Sequence, residues 1–198
     1  MYKRQIEDRY PPEGMESISL DLGGALSNVA GGVTNILPNG NFGPIYESSP
    51  LTEDIWISGL PRLHIDVTTT TLGGQVYALL EDCSDQGECI HIGHAIMDLR
   101  YHEGGSEEQT WIPILETINA KMEFFAMDVQ IETGHTIRLS LASTGEDYLP
   151  ASTSSIVSVQ EGVGSNLIID IIDPDSKLLF DPPECTHSSC LEWLNQTA

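Results

Sequence analysis

Short runs in which apolar and polar residues alternate recur between residues 57 and 150, and no other feature limits the possible folds of this chain so much. Leu63, Ile65 and Val67 alternate with His64, Asp66 and Thr68, and Val76, Ala78 and Leu80 alternate with Tyr77, Leu79 and Glu81. A period of two is that of a β-strand, whose successive side chains leave opposite faces. Pro61, Gly73-Gly74 and the turn after Asp82 bound these runs, as turn residues bound strands. Further strands are expected over residues 90–101, 121–131, 136–143, 155–160 and 166–172. Trp111-Ile112-Pro113-Ile114 is a shorter extended piece, and Pro113, which lacks an N–H, assigns it to an edge or a connection. About eight to ten short strands with no amphipathic helix predict an all-β fold, a jelly-roll (galactose-binding-like) β-sandwich.

The organisation around that core is uneven. Met1-Tyr2-Lys3-Arg4-Gln5 looks like the translated end of a transposon adapter, so residues 1–5 are expected to be a scar on a frame that opens inside a longer protein. Residues 6–50 are punctuated by Gly23-Gly24, Gly31-Gly32, Pro38-Asn39-Gly40 and Gly43-Pro44, and are expected to be an irregular connector with a short strand at residues 17–20. The sandwich is assigned to residues 51–182 and a C-terminal tail to residues 183–198.

Thirty acidic residues against eight Lys plus Arg give a formal charge of −22. Such a field repels nucleic acid and anionic lipid, which are bound by clustered cations. It keeps a surface solvated and attracts cations. No run of apolar residues is long enough to span a bilayer. The four cysteines fall into two local pairs, Cys83/Cys89 and Cys185/Cys190. Paired disulfides in an oxidising, extracellular or cell-surface location are favoured. Reduced thiols remain open, as does a metal site with His91, His94 and His187, although the spacing is not C-x₂-C.

Candidate chemistry is sparse. The nucleophile elbow Gly-x-Ser-x-Gly is absent; Gly162-Val163-Gly164-Ser165-Asn166 misplaces the serine. His135, at a strand entrance after Gly134, could act as a base or ligand, but a strand-start histidine held by a backbone hydrogen bond is the simpler expectation. Arg138 points away from Ile137 and Leu139 and is expected to pair with a carboxylate across the sheet. Asp170, Asp173, Asp175 and Asp181 lack the glycine and terminal glutamate of a calcium loop. Trp56, Trp111 and Trp193 could form a sugar platform or fill a core, and Asn195-Gln196-Thr197 fits a glycosylation sequon. No catalytic residue, metal ligand or cofactor is assigned.

Four segments in order carry a family resemblance: Ile57-Ser58-Gly59-Leu60-Pro61-Arg62-Leu63-His64-Ile65-Asp66-Val67, Val76-Tyr77-Ala78-Leu79-Leu80-Glu81-Asp82, Ile92-Gly93-His94-Ala95-Ile96-Met97-Asp98-Leu99-Arg100-Tyr101, and Gly134-His135-Thr136-Ile137-Arg138-Leu139-Ser140-Leu141-Ala142-Ser143 followed by Pro150. Together they resemble the C-terminal domain of X-Pro dipeptidyl-peptidases, which cocaine esterase and related acylases share. The resemblance makes Gly59, Gly93, Gly134, His135, Arg138 and Pro150 structural motif positions. It implies a non-catalytic jelly roll packed on an α/β-hydrolase domain that carries the serine, aspartate and histidine. In that setting the sandwich walls the substrate pocket and supports assembly, with a homo-oligomer of the intact enzyme as a further expectation. None of the triad can be placed on this chain. The cysteine pairs and the tail after Asp181 depart from the family pattern and point to an exported enzyme. The rival is a free-standing secreted carbohydrate-binding jelly roll, since one sandwich hosts many functions.

Overall fold

The computed structural model describes residues 14–27, 33–103, 109–145, 147–162 and 164–172. Thirteen strands run in order: β1 (Met15–Asp21), β2 (Leu26–Ser27), β3 (Val33–Ile36), β4 (Ile45–Ser48), β5 (Ile55–Gly59), β6 (Arg62–Thr69), β7 (Gln75–Cys83), β8 (Cys89–Asp98), β9 (Ile118–Glu123), β10 (Met127–Ile131), β11 (Thr136–Ala142), β12 (Val157–Gln160) and β13 (Asn166–Ile172). Among the described residues there is no α-helix, only a 3₁₀ turn at Leu99–Tyr101, which the Asp98 carboxylate caps by accepting from the Arg100 N–H.

The strands form two antiparallel sheets, a β-sandwich. One has five strands in the order β2-β4-β11-β7-β8; the other has eight, in the order β10-β5-β13-β6-β12-β3, with β1 beside β13 and β9 beside β6. Alternation dictates the packing. In β6, Leu63, Ile65 and Val67 are fully buried while His64, Asp66 and Thr68 are not. Ile137, Leu139 and Leu141 of β11, and Val76, Ala78 and Leu80 of β7, meet them in one core. Removing such side chains from water is the main stabilising contribution, about 1.5–3 kcal/mol for each fully buried large aliphatic. Tyr46 also lies in this core and shares a hydrogen bond of 2.8 Å with the Thr34 hydroxyl, so its buried phenol is satisfied.

The structure corrects the expected irregular connector over residues 6–50. Its described part holds β1 to β4, and all four strands pair into the sheets. β1 runs antiparallel to β13 along its whole length, from Met15 opposite Ile172 to Asp21 opposite Asn166. Glycines break the sequence pattern there, but each short strand completes its ladder with a partner strand of one of the two sheets. The extended piece expected at residues 111–114 forms no strand, although Ile112 is fully buried; Leu115 beyond it takes a positive φ of 63°. The single strand expected at residues 121–131 is two, interrupted at Phe124-Phe125-Ala126. Asp173, Asp175, Asp181, Cys185, Cys190, Trp193 and the sequon lie outside the described residues.

Candidate functional site on the outer face of the five-stranded sheet

Chemistry-bearing side chains gather where β7 and β8 pair. Opposite Tyr77, Leu79 and Leu80 of β7 lie Ile96, His94 and Gly93 of β8, but Glu81 lies opposite His91. Ile92 is therefore an extra residue, a β-bulge. Residues three apart on a regular strand leave opposite faces, and the bulge instead brings His91 and His94 to the same one. His94 Nδ1 lies 3.3 Å from His91 Nε2, and His94 Nε2 lies 2.8 Å from the Tyr148 hydroxyl. Phe125 meets the His94 ring edge-on at 5.2 Å between centroids, and Tyr77 packs at 5.8 Å. Phe42 and Tyr148 complete the group around Tyr77 at 6.2 and 5.9 Å. Gly145 makes this possible: a Cβ there would come within 2.6 Å of the Tyr77 ring.

Burial pushes the His94 imidazole below the ordinary histidine range; the neighbouring His91 acts in the same direction and Asp147 opposes it. On the other sheet, burial lowers His64, reinforced by Lys121 and Arg62. A histidine whose folded value is depressed favours the neutral form in the fold. Its contribution to stability is present above the unfolded value of about 6.5 and is lost as pH falls through and below it. We expect the urea midpoint to fall as pH is lowered from 8 to 5, before the carboxylates titrate. His64→Asn should flatten that slope; an unchanged slope would show that His64 does not contribute. A second loss belongs to lower pH, where Asp54, held low by Thr133, takes up its proton.

The motif positions are scattered over the fold. Gly59 ends β5 with φ 134°, opposite Met127. Gly93 faces inward, where any Cβ would overlap the Met127 terminal methyl. Gly134 takes φ 87° in the turn between β10 and β11 and donates its N–H to the Leu51 carbonyl at 2.9 Å. The His135 ring is held by the Asp82 carboxylate, Nδ1 to Oδ1 at 2.7 Å, rather than by a backbone group. Arg138 lies in register with Glu47, and its Nη2 reaches Glu47 Oε2 at 3.4 Å. Pro150 is exposed between β11 and β12.

Cys83 and Cys89 form a disulfide at the neck of the β7–β8 hairpin, with their Cα atoms 4.0 Å apart. Asp170 accepts from the Ser17 hydroxyl and from Arg62 Nη2, the latter at 3.2 Å, so it stands in an ion pair. Trp111 is exposed, and Trp56 donates to Asp128. Among the described residues no serine or cysteine side chain hydrogen-bonds a histidine, and no three His, Cys, Asp or Glu side chains converge as on a metal. Sequence reasoning grouped His91 and His94 with His187 as an open metal alternative, but missed Tyr148 and the bulge that brings the two rings to one face. A glycine inside a strand pattern, Gly93, was the available sign of a bulge.

The model of the X-Pro dipeptidyl-peptidase C-terminal non-catalytic domain matches residues 37–161. No curated protein sequence matches the chain. Among solved structures, a CocE/NonD family hydrolase from Staphylococcus aureus superposes with TM-score 0.70 at 12% identity, covering 85% of this chain and 39% of its own. An aminopeptidase from a marine sediment Thaumarchaeota archaeon gives 0.68 at 12% identity, covering 84% and 38%. An α-amino acid ester hydrolase gives 0.56 at 14% identity, covering 82% and 33%. This chain thus spans about two-fifths or less of the length of these proteins, and at such identities the likeness is one of fold.

Proposed function

The chain belongs to the family of the X-Pro dipeptidyl-peptidase C-terminal non-catalytic domain, and from that premise we propose that it acts as the sandwich partner of an α/β-hydrolase domain. The partner carries the serine, histidine and acid; this chain walls the substrate pocket and supports assembly of the intact enzyme. The parent is an X-Pro dipeptidyl-peptidase or a related acyl hydrolase, in which the serine attacks an amide or ester and a histidine acts as general base. Location at the cell surface or outside it is part of the proposal, supported by the Cys83–Cys89 disulfide.

The observation that carries this reading is the family match to a non-catalytic domain, alongside hydrolases more than twice as long as the matched portion. A second feature supports it. Loop hydrogen bonds join Ile112 to Leu72, Leu115 to Thr69 and Thr70 to Ile156, which gathers apolar side chains at one end of the sandwich. Leu115 there is 70% exposed, with Leu72 and Ile156 also open to solvent. Apolar surface grouped in this way marks an interaction site more often than isolated exposed residues do.

The test uses the chain as it stands, and then with the hydrolase region encoded upstream in its gene. Alone, it is expected to turn over neither X-Pro anilides nor aryl esters and to take up no fluorophosphonate label. With the hydrolase region it is expected to form a complex that Leu115→Asp weakens about tenfold or more. Titratable turnover by the chain alone would overturn the proposal. So would glycan-array binding abolished by EDTA in a chain that does not associate with the hydrolase region.

A further inference from the structure

We propose that His91 and His94 form a two-armed site for a borderline divalent transition-metal ion such as Zn²⁺, Ni²⁺ or Cu²⁺, created by the bulge at Ile92. This does not rest on the partnership with a hydrolase. It revises the expectation that no residue of this chain ligates metal.

The geometry makes the case. Two imidazole nitrogens bound at 2.0–2.1 Å to a tetrahedral ion lie about 3.3–3.4 Å apart. His94 Nδ1 and His91 Nε2 are already 3.3 Å apart. On a strand without the extra residue, these side chains would leave opposite faces and could never share an ion. The bulge therefore sets the spacing of the donor pair before any ion arrives.

The state of each ring suits this use. Ligating histidines are usually oriented by a bond from the other ring nitrogen. His94 has such a bond, with Nε2 2.8 Å from the Tyr148 hydroxyl. When Nε2–H donates to that hydroxyl, the lone pair of Nδ1 is left facing His91. Phe125 and Tyr77 hold the His94 plane from two sides. His91 is exposed; in this arrangement its Nε2–H donates to His94 Nδ1, and moving that proton to its own Nδ1 frees the Nε2 lone pair for a shared ion.

The donors also select the ion. Neutral imidazole favours zinc, nickel and copper over magnesium and calcium, which prefer oxygen. A chain of formal charge −22 concentrates cations at its surface, and Glu81 lies in register opposite His91. No third side chain joins the pair among the described residues, so the remaining positions fall to water. The site is consequently open and weaker than a closed four-ligand one.

Titration of the full chain with ZnCl₂ by calorimetry, and with CuCl₂ by its visible and paramagnetic-resonance signals, tests the site. One ion per chain is expected, with imidazole ¹⁵N resonances of His91 and His94 shifting together. His91→Gln, at an exposed position that cannot unsettle the fold, should weaken binding about tenfold or more because one arm of the chelate is lost. His94→Gln should do the same, and His187→Ala should change nothing. Absence of saturable binding would overturn the proposal. So would affinity within twofold of the parent in His91→Gln, or loss of binding on His187→Ala.

Discussion

Leu139→Ala is expected to lower the unfolding free energy by about 3 kcal/mol, within the range for emptying a rigid core site. Leu139 has no solvent exposure. It sits mid-strand in β11, in register with Tyr46 on one side and Leu80 on the other, both also buried. Both flanking strands are fixed by their ladders, so the cavity cannot collapse, and the lost contacts add to the lost transfer energy. For a chain of this size the melting temperature should drop by about 6–12 °C. Arg138→Ala, one residue away and facing outward, should cost less than about 1 kcal/mol, since its ion pair with Glu47 is long, at 3.4 Å, and partly exposed. Urea titration of both variants distinguishes the two faces of one strand. Equal losses would mean that the alternation does not divide core from surface as described.

Joining Cys83 to Cys89 should contribute about 2 kcal/mol, mainly by restricting the unfolded chain over a short loop. The magnitude is small for a disulfide because a hairpin neck closes little chain. The Cys83→Ala/Cys89→Ala double variant is therefore expected to fold, with its urea midpoint lowered. Dithiothreitol should shift the parent to nearly the same midpoint and leave the double variant where it is. Reduction confirmed by mass without any shift of the parent's midpoint would show that the bond does not constrain the unfolded state.

The strands that β6, β7 and β11 became were legible because each runs through the middle of a sheet with one buried face. Alternation over Leu63, Ile65 and Val67 is a direct record of that burial. β2, β3 and β4 left no such record. They are two to four residues long, too short for a period to emerge, and their backbone bonds go to strands distant in sequence or equally brief. Leu115 shows a different limit: its φ of 63° is imposed by a tertiary bond from its N–H to the Thr69 carbonyl, which leucine's own preferences oppose. The motif segments marked the family, yet they said little about a site. On a regular strand His91 and His94 would leave opposite faces, and one extra residue in the ladder turns them together. Register is a property of the pair of strands, and neither strand's sequence states it alone.

The pairing of β1 with β13 has a kinetic consequence. Ser17 and Asp170 meet across a separation of 153 residues. Closing so long a segment is entropically unfavourable until most other contacts exist, and topologies dominated by such pairings fold slowly. On the ribosome, β1 leaves first and must wait for β13, the last strand described, before its ladder has a partner. Throughout that interval Ile18 and Leu20, which pack against the core in the finished fold, stay open to water or to another chain. The hairpin of β7 and β8, whose partners are near neighbours in sequence, is free to form during that wait. Assembly of the sandwich then begins from the middle, and β1 and β13 are the last of the described strands to be joined.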